Sequence, residues 1–259
     1  MGWSMRIKER LAKGQLVRTF LVGQLSHPKV IEMVGLSGGW DAVWIDQEHA
    51  GLTIAQIEEA ARAARGVGLD SFVRLAPTDY ATVMRVLEAG AGGVMAAQVR
   101  SARQAEEIVS WSKFHPRGVR GINGTGFDGQ YGALPLADYI RKANAENFVS
   151  IQIEHVDALE AVEQIAAVKD VDVLCIGTAD LSQSMGIPGQ YEHPRVQQAI
   201  ERIAQAARDH GIHWAILPFS PAHAAACRQM GCRMLVLGVD TRLVLRGIQS
   251  QLTEYCDCI

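Results

Sequence analysis

Apolar and polar positions along this chain fall into two alternating regimes. Short, mostly apolar runs rich in β-branched residues recur, separated by longer Ala-, Glu- and Arg-rich segments in which apolar positions return with helical spacing. That alternation marks repeated βα units and a parallel sheet. Eight candidate strands stand out: 19–23, 42–46, 71–75, 93–97, 148–154, 171–176, 213–217 and 234–237. Helical spacing predicts helices over segments such as 54–65, 81–89, 102–113, 158–167, 195–210 and 221–230, with glycine at several of their ends. The stretch 114–134 holds many glycines and no helical pattern, so it reads as a long loop, a feature that in compact domains is usually functional or disordered.

Eight units in 259 residues favour closure, giving a single α/β domain over 1–259, a (β/α)8 TIM barrel. An open doubly wound sheet also alternates in this way, but no G-x-G-x-x-G opens a helix after the first strand.

In a closed barrel the site of chemistry lies at the carboxyl ends of the strands, so any polar residue that ends an apolar strand is a candidate. The second strand ends in Asp46, with Glu48 and His49 just after it. The third carries Arg74, the fifth Gln152 and Glu154, and Asp180 follows the sixth. Leu217, closing the seventh, joins them as a substrate contact. Alternation along the fifth strand sends Gln152 and Glu154 to the same side, into the barrel mouth. Two carboxylates, Glu154 and Asp180, with room for water suit a hard divalent cation such as Mg²⁺, Mn²⁺ or Co²⁺ better than zinc, which would want more His or Cys. Such a cation can chelate a 2-keto acid and stabilise its enolate, with Arg74 on the developing oxyanion and His49 as proton shuttle. The lysines are Lys8, Lys13, Lys29, Lys113, Lys142 and Lys169, and none follows a strand end, which argues against imine chemistry.

Each of these residues also has a structural reading. Asp46, Glu48 and His49 could be loop or capping positions, and Arg74 could form a buried ion pair. Glu154 could pair with an arginine, and Asp180 could cap the segment beginning at Leu181. His155 should point away from the site, and Cys227 and Cys232 read as helix packing rather than a metal pair.

A net charge of −3 with scattered Lys and Arg leaves no footprint for nucleic acid, so small-molecule partners are expected. The start lacks an apolar signal core and no apolar run is long enough to span a bilayer, so a cytoplasmic protein with no membrane partner is expected. Five cysteines without a repeated C-x-x-C read as reduced thiols, and 256–259 fits a prenylation box only in length, since Asp257 is not aliphatic.

The segments WIDQEHAGLT, FVRLAPTD, VLEAGAGGVM, FHPRGVRGI, SIQIE, CIGTADLSQSMG and LVLGVDT, spread over nearly the whole chain, resemble those of metal-dependent 2-keto acid aldolases, the family that includes 4-hydroxy-2-oxoheptanedioate and 2-dehydro-3-deoxyglucarate aldolases. The resemblance implies a barrel of the phosphoenolpyruvate/pyruvate type and reversible cleavage of a 4-hydroxy-2-keto acid to pyruvate and an aldehyde. It further implies that Glu154 and Asp180 bind the metal and that Arg74 and Gln152 contact the pyruvyl group. His49 would act as acid and base through a water on the metal, beside Asp46 in the catalytic group. Backbone amides near Ala179 and Asp180 would receive the substrate carboxylate. Glu88 stands where family patterns often have an aspartate that assists the histidine. A homo-oligomer, usually a hexamer, is implied, its last helix packed on a neighbour, which suits the stripe of Leu243, Val244 and Ile248.

Two further departures concern GTADLS, which replaces a proline-containing version, and the loop INGTGFDGQYG, which replaces a Ser- and Ala-rich one. The loop 122–135 is expected over the barrel mouth. It offers Asn123, Thr125, Phe127, Asp128, Gln130 and Tyr131 but no Lys or Arg, which favours neutral aldehydes over anionic semialdehydes. The competing readings are a coenzyme A ester lyase on a related barrel and a 2-keto acid binder without turnover.

Overall fold

A computed structural model describes residues 5–256. Its strands are β1 (Val17–Val22), β2 (Ala42–Asp46), β3 (Asp70–Leu75), β4 (Gly93–Ala96), β5 (Phe148–Ile153), β6 (Val173–Ile176), β7 (His213–Ile216) and β8 (Met234–Val239). Its helices are α1 (Ile7–Ala12), α2 (Pro28–Ser37), α3 (Ile54–Gly66), α4 (Tyr80–Glu88), α5 (Ala102–Ser112), α6 (Leu136–Glu146), α7 (Val156–Glu160), α8 (Val162–Ala166), α9 (Thr178–Ser184), α10 (Pro194–Asp209), α11 (Pro221–Gln229) and α12 (Asp240–Glu254). The strands form one closed parallel barrel in sequence order, with β8 returning to β1.

Side-chain alternation divides the apolar residues of every strand between two cores. Val43, Ile45, Val73, Val149, Ile151, Leu174 and Ile216 face outward into the layer between sheet and helices. Ala42, Trp44, Phe72, Met95, Phe148, Val173, Cys175 and Ala215 face inward and fill the barrel. α1 closes the amino-terminal end, where Ile7 and Leu11 join the inward core. The buried Asp70 holds that plug, accepting from the Ile7 amide and Arg6 Nη1, both at 2.8 Å. With one end plugged, only the carboxyl end is open.

Local chemistry sets the helix starts. Thr53 and Gln56 form a reciprocal capping box at α3, while Asp79, Ser101 and Ser220 cap α4, α5 and α11. The Nδ1 atoms of His27, His155 and His193 accept backbone amides at the starts of α2, α7 and α10.

Several expectations are corrected in detail. The helix expected over 158–167 is interrupted at Ala161, giving α7 and α8. The fifth strand stops at Ile153, so Glu154 lies just past its end, and β8 runs on to Val239. The loop after α5 exists but does not cover the mouth. It lies against the outer side of α4: the Asp128 amide points to the Glu88 carbonyl (3.4 Å), and the Phe127 ring fills the space that a side chain on Gly90 would need. The Arg65 guanidinium covers that ring at 4.3 Å. Asp128 itself accepts from Arg120 and from the Tyr139 hydroxyl, both at 2.6 Å.

α12 departs from the packing of the other helices. Its root is fixed, because the buried Asp240 carboxylate accepts the Gly23 and Leu25 amides at 2.7 and 2.8 Å. Beyond that root no side chain of the helix is buried, and Leu245, Ile248, Leu252 and Tyr255 are each more than half exposed. No helix among the described residues is long and apolar enough to cross a membrane.

Candidate active site

The inward positions change character in the last layer of the barrel. On β2 the inward residues run Ala42, Trp44, Asp46; on β3 the series is Phe72 then Arg74; on β5 it is Phe148, Ser150, Gln152, with Glu154 next. Parallel pairing sets Asp46 directly beside Arg74. Arg74 Nε donates to Asp46 Oδ1 at 3.0 Å and Nη2 to Oδ2 at 2.6 Å, a two-pronged pair with both side chains more than nine-tenths buried. Glu48 Oε2 lies 3.3 Å from Nε, and the Trp44 ring supports the guanidinium from below at 4.9 Å. Burial alone would lower the Arg74 pKa. The hydrogen bond and charge of Asp46, with Glu48 and Glu154 beyond it, outweigh burial and raise it.

Asp46 also shapes the following turn, since its Oδ1 accepts the Glu48 amide at 3.2 Å. That turn delivers His49 to the rim, where its ring is mostly exposed and Nε2 lies 3.7 Å from Glu48 Oε2. Sequence reading had left Glu48 without a role.

Glu154 is held on both oxygens. Oε1 accepts the Gln98 amide at 2.6 Å and Gln98 Nε2 at 3.1 Å, and Oε2 accepts Gln152 Nε2 at 2.6 Å. Gln98 reaches this position through a left-handed backbone, φ 57°, a conformation rare outside glycine and worth noting beside a functional site. Burial pushes the Glu154 carboxyl up to about 7; the Gln98 amide opposes that, Glu48 and Asp180 add to it, and Arg74 opposes it. Gly177 is required for space: a Cβ there would lie 2.7 Å from Gln152 Nε2 and 2.8 Å from Glu154 Oε2. Neither Gln98 nor Gly177 carried a signal that sequence reading used, although Gly177 sits within the quoted CIGTADLSQSMG segment.

Asp180 and Ala179 stand in the first turn of α9, where backbone amides lack intrahelical acceptors. Asp46, His49, Arg74, Gln152, Ala179, Asp180 and Leu217 all line one cavity of about 1000 Å³ at the carboxyl end, and Glu154 lies beneath its surface, bonded to Gln152. Glu88 is not brought to this site. It ends α4 on the amino-terminal side of the barrel, bonded at 3.4 Å to Asn123, and burial raises its pKa. The expected pairing of Glu88 with His49 therefore does not form within one chain.

Among the described residues no three His, Cys, Asp or Glu side chains are grouped to hold a metal ion by themselves. Glu154 and Asp180 offer two, and a small hard cation commonly takes one or two carboxylates and completes its shell with water and substrate oxygens. Gln152 Oε1 and Glu48 Oε2 are buried without a hydrogen-bond donor beside these carboxylates. The oxygen-rich end of the pocket around Glu154 and Asp180 fits such an ion.

Comparison with known proteins places this barrel in a family of carbon–carbon lyases. The sequence profile of the HpcH/HpaI aldolase/citrate lyase family matches residues 18–247, and the chain belongs to that family. It is 31% identical over 245 residues to a hydroxypyruvate/pyruvate aldolase of Pseudomonas aeruginosa, covering 95% of this chain and 90% of that one. It is also 31% identical to a 2-keto-3-deoxy-L-rhamnonate aldolase of Klebsiella pneumoniae subsp. pneumoniae, covering 86% and 83%. Among solved structures it resembles an HpcH/HpaI aldolase from Desulfitobacterium hafniense DCB-2, with a TM-score of 0.91 at 30% identity over 97% of this chain and 96% of that one.

The clamp makes a prediction. Asp46 supplies both hydrogen bonds of this buried pair and Glu48 at 3.3 Å replaces them only in part, so Asp46→Ala should cost up to about 3–5 kcal/mol of unfolding free energy. Arg74→Leu added to it should recover part of that loss. A denaturant double-mutant cycle with a coupling below about 0.5 kcal/mol would show that the pair is not a unit.

Proposed function

We propose that the protein is a divalent-metal-dependent aldolase that reversibly cleaves a 4-hydroxy-2-keto acid to pyruvate, or a similar 2-keto acid, and an aldehyde. The observation that carries this is the convergence of Arg74, Gln152 and Asp180 on one cavity, with Glu154 directly beneath, in a barrel of the HpcH/HpaI family.

Glu154 and Asp180 would hold the cation, which supplies Lewis acidity toward a keto oxygen that gains charge during cleavage. The hydrogen bonds to Asp46 use Nε and Nη2 of Arg74 and leave Nη1 to meet the keto acid. Asp46 thus fixes the arginine without occupying its whole donor edge. Gln152 is fixed in turn by donating to Glu154, and its position beside Arg74 orients the pyruvyl group. The free amides of Ala179 and Asp180 suit the substrate carboxylate, and Leu217 bounds the apolar side. His49 is the imidazole at the rim of the cavity, beside Glu48. It takes the proton from the hydroxyl during cleavage and returns one to carbon. Within a single chain its nearest carboxylate is Glu48, and Glu88 can reach a His49 only from a second copy.

The exposed apolar residues of α12 suit burial against another copy, so we assign a homo-oligomer, with a hexamer as the form the family resemblance favours. Cys175, Cys227, Cys232 and Cys256 are free thiols, in keeping with a reducing cytoplasm.

EDTA treatment should abolish activity, and Mg²⁺, Mn²⁺ or Co²⁺ should restore it. Glu154→Gln and Asp180→Asn should weaken binding of Mn²⁺ followed by calorimetry. Full turnover by metal-free protein, or a lysine adduct trapped by borohydride with pyruvate, would overturn the mechanism.

His49→Ala should keep metal affinity while slowing the entry of solvent deuterium into the pyruvate methyl group by roughly 10² to 10⁴. Exchange and aldol cleavage both at the wild-type rate would remove His49 from its role.

Sedimentation equilibrium should find an assembly larger than one chain. Leu245→Glu with Ile248→Glu should shift it toward smaller species. A wild-type monomer at micromolar concentration would refute the oligomer.

A further inference from the structure

The cavity is larger than its catalytic end. At about 1000 Å³ it sits at the top of the range of roughly 300–1,000 Å³ typical of small-molecule sites, far more than a three-carbon keto acid fills. The remaining space lies toward β7, β8 and the root of α12, and is bounded by Phe219, Leu243, Arg242 and Arg246. Charge in this cavity is unevenly placed, and Asp240, the carboxylate lining the α12 end, is occupied by the Gly23, Leu25 and Thr241 amides. Asp46, Glu48, Glu154 and Asp180 crowd the catalytic end around one arginine, Arg74, which Asp46 already claims. Arg242 and Arg246 stand on the far rim, and among the described residues no hydrogen bond or ion pair engages either.

The geometry of α12 makes these two arginines a built feature of the cavity. Asp240 pins the first residue of the helix to the Gly23 and Leu25 amides, so the first two turns are fixed relative to the mouth. At 3.6 residues per turn, positions 242 and 246 project within about 40° of each other. Both line the cavity. Val244, Leu245, Ile248 and Leu252 fall on a separate stripe, about 60° or more away around the helix. A second copy can therefore cover the apolar stripe and leave the arginines facing the mouth.

We propose that Arg242 and Arg246 form an anion subsite for the distal end of the aldehyde, so that the preferred acceptor carries a carboxylate or phosphate at the end away from its carbonyl. This rests on the aldolase reading above. Two guanidinium groups one helical turn apart supply paired donors that match the oxygens of either anion. An acceptor of this kind is oriented by its tail: the anion is drawn to the arginine rim, which leaves its carbonyl toward the catalytic end and the nucleophile. The stacked rings of Tyr191 and Phe219, with centroids 6.1 Å apart, give its carbon stem an apolar wall. The expectation of neutral aldehydes came from the lack of cations on 122–135. Within one chain that loop lies outside the mouth, and the cations on the far rim of the cavity are on α12.

The test measures kcat/KM for aldol addition with pyruvate saturating and the metal present. Succinic semialdehyde is compared with butanal, and glyceraldehyde 3-phosphate with glyceraldehyde. The wild-type enzyme should favour at least one anionic partner over its neutral counterpart tenfold or more. Which pair shows the preference identifies the anion. In Arg242→Gln/Arg246→Gln that ratio should fall at least fivefold toward unity, and Arg242→Lys/Arg246→Lys should retain part of it. A wild-type ratio near one for both pairs, or a ratio unchanged in the glutamine variant, overturns the proposal. Deuterium exchange into pyruvate by the wild-type enzyme needs no acceptor. Its failure would instead count against the aldolase reading itself.

Discussion

Everything at the carboxyl end of this barrel depends on the two-residue period of its strands acting inside a closed sheet. Each strand must give one face to the helix layer and the other to the interior, and the interior can be filled only by what points inward. For most of their length the inward residues are apolar, from Ile7 and Leu11 of the plug up to Trp44, Phe72 and Cys175. One layer above, the same alternation brings in Asp46, Arg74 and Gln152. Charges so deep must be paired, and the Asp46–Arg74 clamp is the pairing that register permits, since β2 and β3 place those two residues side by side.

That constraint explains which parts of the structure were legible in the sequence. An apolar strand that ends in a charged residue is visible without coordinates, and seven of the nominated residues, Asp46, His49, Arg74, Gln152, Ala179, Asp180 and Leu217, line one cavity with Glu154 just beneath. Groups whose position depends on something other than strand alternation were not legible. Gln98 reaches Glu154 through a left-handed turn, and Gly177 is needed because Gln152 and Glu154 occupy the space a side chain would take. Both facts belong to packing between neighbouring strands, which a one-dimensional pattern does not encode.

The misplaced loop and Glu88 share a different cause. Distance from the mouth depends on which end of a helix a segment follows, and helices in this fold run opposite to the strands. A residue at the end of α4 is delivered to the amino-terminal side, and a loop that follows α5 begins there too. The polar side chains of 122–135 suggested a substrate contact, but composition says nothing about which end of the barrel a segment occupies. Asp128 instead accepts from Arg120 and Tyr139, and Phe127 fills the space above Gly90.

The two ends of the cavity are therefore under unequal constraint. Changing Asp46, Arg74 or Glu154 disturbs buried hydrogen bonds as well as chemistry, because each side chain is a partner of another inside the barrel. The opposite rim is built on α12, where beyond Asp240 no side chain is buried and Arg242 and Arg246 have no packing duty to the fold. A substitution there can alter what the cavity accepts at almost no cost in stability, since exposed positions typically tolerate change within about 0.5 kcal/mol. The chemistry of enolate formation is thus tied to the stability of the barrel, while the choice of aldehyde is carried by a helix that the barrel holds only at its root, through Asp240 and Leu243.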